Sequence, residues 1–187
     1  PPQTFTFAET LKRNPGLDVV NWSGGENRAE SFWNHLWKSP NIIGGAIWAG
    51  IDEEFYLPGR KTVGYGPWGF IDGWRRTKSL WWDAKLIFSP VHIPVRQVDW
   101  TPGQRTMEIP IVNRFAFTDL NELKMTWEVG KKHGGCRMDL PAGQEGRLTL
   151  KVPRSIHAGD LLALRCYDRQ GNIVMAHGVR LGQEKVQ

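Results

Sequence analysis

The 187-residue sequence predicts an α/β segment followed by an all-β, immunoglobulin-like sandwich. Three observations carry this. Apolar residues recur at helical spacing early in the chain and alternate from Arg105 onward. Of the 21 aromatic residues, 16 precede Pro94, including eight of the ten tryptophans. The apolar run 42–51 follows a helix-like stretch and shows no alternation. The boundary is placed between Ile93 and Pro94, giving segments 1–93 and 94–187. Hydrophobic residues at 40% and charged residues at 23% match globular chains, which excludes disordered and collagen-like classes. A complete (β/α)8 barrel needs at least about 200 residues, so none fits here.

Ser23 and Glu26 have capping-box spacing, and Ala29, Phe32, Trp33, Leu36 and Trp37 follow at helical intervals until Ser39-Pro40 ends the run. The spacing predicts an amphipathic helix. The run Ile42 to Ile51 then suits a strand covered on both faces, as parallel strands are. Leu80, Trp81, Ala84, Ile87 and Phe88 predict a second helix, closed by Ser89-Pro90. Between strand and helix, residues 52–77 form a 26-residue connection with six aromatics and five glycines. A structureless connection of that length is functional or disordered, and six aromatics argue against disorder. In parallel α/β folds, the loop leaving a strand's C-terminal end is where ligands bind. Aromatic faces stack on pyranose rings and carboxylates accept hydrogen bonds from hydroxyls, so this loop is read as a sugar site. Asp52 and Glu54 stand on one strand end and would approach a substrate from one wall, so they are not expected to form the two-sided carboxylate pair of a glycosidase.

From Arg105 onward, Met107, Ile109 and Ile111 alternate with polar residues. So do Leu123, Met125, Trp127 and Val129, and then Leu148, Leu150 and Val152. A hairpin runs from Leu162, Leu164 and Cys166 through Asp168-Arg169-Gln170-Gly171-Asn172 to Ile173, Met175, His177 and Val179. Short alternating strands between Gly, Pro and Asp turns predict an antiparallel sandwich.

The net charge of +5 divides as +1 before Pro94 and +4 after it, where only five aromatics lie. A single-stranded nucleic-acid groove would interleave the two, so nucleic acid is not an expected partner. No apolar run approaches the ~20 residues of a spanning helix, so no membrane partner is expected. Pro1-Pro2-Gln3 has neither Met nor signal-peptide pattern, and the chain is expected to begin inside a longer protein. The five histidines show no HxH or HExxH spacing, so no metal and no other cofactor is expected. His177 falls on the apolar parity of its strand and reads as a satisfied core or rim residue. Cys136 and Cys166 are too few for a disulfide scaffold, and the sequence leaves their pairing open.

The order Gly44-Gly45-Ala46-Ile47-Trp48, Ile51-Asp52, Gly64-Tyr65-Gly66-Pro67-Trp68-Gly69, Asp72-Gly73-Trp74-Arg75-Arg76 and Ser89-Pro90-Val91 resembles the last part of the catalytic barrel in glycoside hydrolase family 2. The stretch Val112-Asn113-Arg114-Phe115-Ala116-Phe117-Thr118-Asp119-Leu120, with Trp127-Glu128-Val129, resembles the opening of the β-sandwich that follows it in the β-galactosidase branch. The resemblance runs from about Glu9 to the end. It implies that 1–93 is the last βα unit of a TIM barrel and 94–187 an accessory β-sandwich. It further implies a retaining β-glycosidase whose two glutamates lie upstream, because Glu9, Glu26 and Glu30 do not match their motifs. No catalytic residue is then expected in this chain, which alone should be inactive. Trp48 matches the family's pocket-lining tryptophan and Asp52 the acid closing the same strand motif. With Tyr65 and Trp68 these are the expected substrate-binding residues. Ala49 and Gly50 replace an acid and a bulky aromatic found in many members, implying a more open pocket. The alternative is a non-catalytic carbohydrate-binding or structural interaction module. One strand with its helices cannot close a barrel, so exposed apolar surface and self-association are expected.

Overall fold

A computed structural model describes residues 28–41, 49–59, 61–101, 103–153 and 155–182. The chain divides into two compact units, Pro1–Ile87 and Phe88–Gln187.

In the first unit, helix α1 spans Arg28–Lys38. Its expected capping residues Ser23 and Glu26 lie outside the described residues. At its C-terminal end the Ser39 amide donates to Leu36 O at 3.1 Å and the Ser39 hydroxyl to His35 O at 3.0 Å, so two terminal carbonyls are satisfied before Pro40 stops the helix. Helix α2, Ser79–Ile87, buries Ala84 and Ile87 and contacts α1. Trp82 on α2 is 62% exposed, with the Lys85 ammonium 5.6 Å from its ring.

The connection 52–77 is not structureless. Strands β1 (Glu54–Tyr56) and β2 (Thr62–Gly64) pair antiparallel within it. Pro58-Gly59 supplies the turn chemistry, with Gly59 at φ 87°, and the Leu57 amide donates to Lys61 O at 2.8 Å. Of the strand expected over 42–51, residues 42–48 lie outside the described residues, and Ile51 makes one parallel bridge to Ile71. Among the described residues this unit therefore holds two helices and a hairpin, and no barrel strand.

The second unit is a β-sandwich. Strands β3 (Val91–His92), β5 (Thr106–Asn113) and β8 (Glu145–Lys151) form one sheet in the order β3-β5-β8. The other sheet runs β4-β10-β9-β6-β7, from strands Gln97–Val98, Ile173–Leu181, Leu161–Tyr167, Lys124–Val129 and Lys132–Cys136. Residues 88–93 thus go with the sandwich. All pairings are antiparallel except β4 with β10. The alternating residues make the core: Met107, Ile109, Ile111, Met125, Leu148, Leu150, Leu162 and Leu164 are each at most 2% exposed. Ile173 departs from this pattern and is 47% exposed, because a bulge between Ile173 and Met175 shifts the register and turns it out of the core.

Buried polar groups in the sandwich are satisfied by backbone. Asn113 is fully buried; its amide nitrogen donates to Thr118 O at 2.9 Å and Leu140 O at 3.0 Å, while Oδ1 accepts the Phe115 amide at 3.1 Å. This clamps the 114–119 turn, at whose tip Phe117 is 95% exposed. His177 is buried with Nε2 2.9 Å from Val95 O, consistent with its placement on the apolar parity.

Cys136 and Cys166 both face Met125, one from β7 and one from β9. With β6 between them, their strands are about 9.5 Å apart, beyond disulfide reach, and both thiols are free.

Candidate functional site

Asp52 organises the 52–77 segment. It is 5% exposed, and its Oδ1 accepts the Gly69 amide at 2.7 Å and the Lys78 ammonium at 2.7 Å. Lys78 also donates to Pro67 O at 2.6 Å. One carboxylate oxygen therefore ties Pro67, Gly69 and Lys78 to the end of the motif 51–52. Gly69 is required for this, because a Cβ there would collide with the backbone of Ile51 and Asp52. So engaged, Asp52 acts on the loop; the structure gives it no open face toward a ligand.

The second acid, Asp72, closes a tight turn. Its Oδ1 accepts the amides of Trp74 and Arg76, each at 2.9 Å, and its Oδ2 accepts Arg76 Nε at 2.7 Å. Desolvation pushes its pKa up, but the hydrogen bonds and the Arg76 charge outweigh this and hold the carboxyl below its ordinary value. Arg75, inside the turn, takes φ 69°, which a non-glycine residue adopts only when its surroundings impose it.

The aromatics differ in what they offer. Trp74 stacks on Tyr56 with centroids 3.7 Å apart and planes 11° from parallel, and the Arg76 guanidinium sits 4.8 Å from the same ring. With one face against Tyr56 and a cation over the ring, Trp74 is engaged in a structural stack although 56% exposed. Trp68 packs its ring against Gly66 and remains 44% exposed, while Tyr65 is 84% exposed. With Phe55, which is 63% exposed, these two present aromatic surface on which a ligand could stack.

Of the expected substrate-binding residues, Asp52, Tyr65 and Trp68 fall on this one ordered segment, and Trp48 lies outside the described residues. Sequence patterns do not single out Lys78. Its only signal is the last cation of Arg75-Arg76-Thr77-Lys78 just before a helix, and its partner stands 26 positions away. Among the described residues, no group of three or more His, Cys, Asp or Glu could hold a metal ion, and no helix is long and apolar enough to cross a membrane.

No protein-family model and no curated protein matches the sequence. Among solved structures, the chain matches the exo-chitosanase CsxA of Amycolatopsis orientalis at 16% identity and TM-score 0.39, covering 83% of this chain and 18% of that one. A structure describing inhibition of the exo-β-D-glucosaminidase CsxA matches at 14% identity and TM-score 0.39, over 96% of this chain and 20% of that one. The Escherichia coli chaperone DraB matches at 8% identity and TM-score 0.28, over 49% and 52%. The chain spans about a fifth of the length of the CsxA structures.

Proposed function

We propose that this chain is the C-terminal part of a retaining β-glycosidase of the β-galactosidase-like kind, acting on β-glycosidic bonds of oligo- or polysaccharides. Its catalytic glutamates precede Pro1. The observation that carries this reading is the pair of motif groups in fixed order, 44–76 and 112–129, each resembling glycoside hydrolase family 2. The geometry supports it locally. The Gly64 to Gly69 motif is drawn onto Asp52 and presents Tyr65 and Trp68 outward, as a sugar-stacking surface requires. The sandwich is read as immunoglobulin-like, because its first strand is shared between sheets as β3 and β4.

In such an enzyme two carboxylates about 5 to 5.5 Å apart flank the scissile bond, one as acid/base and one as nucleophile. The 52–77 segment contributes binding: Trp68 and Tyr65 cover apolar sugar faces, Asp52 holds them in place, and Trp48 lines the pocket on the strength of the motif alone. The purified chain is expected to leave an aryl β-galactoside intact. Hydrolysis by this chain that Asp52→Ala abolishes would overturn the placement of the catalytic groups upstream.

The exposure of Tyr65 and Trp68 equally favours a non-catalytic carbohydrate-binding module. The residues encoded before Pro1 separate the two readings, since a strand ending in Glu there belongs to the enzyme only. Titration with a β-linked galacto-oligosaccharide should quench tryptophan fluorescence in wild type and Trp74→Phe but not in Trp68→Ala. A flat wild-type titration removes the sugar site.

A further inference from the structure

The sandwich carries a second candidate site. A groove of about 950 Å3 runs along β6 and β7, a volume suited to a small ligand or a few sugar rings. Thr126 of β6 stands between Arg165 of β9 and Gly135 of β7, and Glu128 stands opposite His133. These residues alternate with the buried Met125, Trp127 and Val129, so they project from the face of the sheet away from the core.

Charge decides what fits. Both acids lining the groove are engaged: Glu128 Oε2 accepts Arg165 Nη1 at 2.9 Å, and Glu122 Oε2 accepts Arg169 Nη2 at 2.6 Å. Two further cations of the lining, Lys124 and Arg137, have no ion pair among the described residues. The groove therefore holds an excess of positive charge that a neutral ligand leaves uncompensated. Its centre also offers the Thr126 hydroxyl, the second Glu128 oxygen and the remaining Arg165 donors. That mixture suits hydroxyls more than a bare polyanion. At Gly135 the surface is open, with only Met125 O, 3.8 Å away, near the place of a Cβ.

We propose that this groove binds a uronate-bearing oligosaccharide, Lys124 and Arg137 taking carboxylates while the Glu128–Arg165 pair and Thr126 take hydroxyls. The saccharide part of this assignment rests on the glycosidase reading, and the anionic part rests on the charge of the groove.

Calorimetric titration of the full chain with hexagalacturonate, cellohexaose and inorganic polyphosphate tests it. Hexagalacturonate should bind at least tenfold more tightly than either of the others. Its affinity should fall at least tenfold in Lys124→Ser/Arg137→Ser, and likewise in Gly135→Leu, which fills the groove without changing charge. It should also weaken as salt rises from 50 to 200 mM, as exposed charge pairs do. Trp68→Ala should leave it unchanged, so failure of the 52–77 sugar site and failure of this groove are read separately. Thermal melts establish that each variant is folded. Absence of hexagalacturonate binding by the intact chain, or binding that both groove variants retain, overturns the proposal. Equal binding of polyphosphate overturns its saccharide part.

Discussion

Lys78 Nζ and the Gly69 amide both lie 2.7 Å from Asp52 Oδ1, so one oxygen carries a cation and a backbone donor together. The carboxylate side chain is 3% exposed and the lysine 28%. This asymmetry sets the consequence of mutation. Lys78→Ala leaves a buried carboxylate without its cation and should cost about 3 kcal/mol in the first unit. Asp52→Asn keeps an acceptor for Gly69 and leaves a lysine that can reach water, for about 1 kcal/mol. Urea denaturation followed by tryptophan fluorescence checks the order of the two, and equal losses would contradict it.

Asn113→Ala removes three hydrogen bonds at a position with no exposure. The Thr118 carbonyl and the Phe115 amide lose the Asn113 side chain, while Leu140 O keeps the Leu120 amide at 3.0 Å, and the expected loss is about 3 kcal/mol in the sandwich. Phe117→Ser, at the tip of the same turn but 95% exposed, should change stability by less than about 0.5 kcal/mol. Comparison of the two midpoints in denaturant tests whether the turn is held by its base or its tip.

The two thiols should be inert in the native protein. Burial pushes Cys136 up to about 11, and burial together with the Cys136 charge pushes Cys166 up to about 12, from an ordinary 9.0. The thiolate is the reactive form, so an aromatic disulfide reagent at pH 8 should label either residue roughly a hundredfold more slowly than it labels the unfolded chain. The same shift has a sign in stability. The folded state favours the neutral thiols, so their contribution is complete below pH 9 and is lost as pH rises from 9 through 11 to 12. Between pH 8.5 and 10.5, wild type should lose more stability than Cys136→Ala/Cys166→Ala.

Gly134→Val should damage the sandwich although the glycine lies in an edge strand. A Cβ there meets the Trp127 indole at 2.9 Å, so the larger side chain must displace a ring that is 9% exposed. Overpacking of this kind costs about 2 kcal/mol. A red shift of Trp127 emission would accompany it. Gly143→Ala, in a turn at φ 73° with nothing near its Cβ position, should report backbone strain without that shift.

The long sandwich strands were legible because one face of each is buried, and burial imposes a period of two on the sequence. Strands β3 and β4 were not, since two residues hold no period. Strand β7 was hidden for another reason: Lys132-His133-Gly134-Gly135-Cys136 has no apolar alternation, because its glycine makes room for Trp127 instead of filling the core. The hairpin within 52–77 was announced by Pro58-Gly59, but the wealth of glycines around it reads as loop. At the candidate site the aromatic and acidic residues were visible as types. Which aromatic is stacked on a neighbour follows from Tyr56, Trp74 and Arg76 meeting in space, and that no spacing reveals.

The short parallel pairing of β4 with β10 places the strand entering the sandwich beside the strand leaving it. Tension applied across Gln97 and Leu181 in opposite directions would load these bonds in shear, all at once, where an antiparallel hairpin would unzip one bond at a time. Among the described residues two pairs share that load, Gln97 with Arg180 and Val98 with Leu181. The sandwich is therefore built with a small mechanical clamp at the point where its two chain ends exit, and its rupture force should fall steeply when Val98 is replaced by proline.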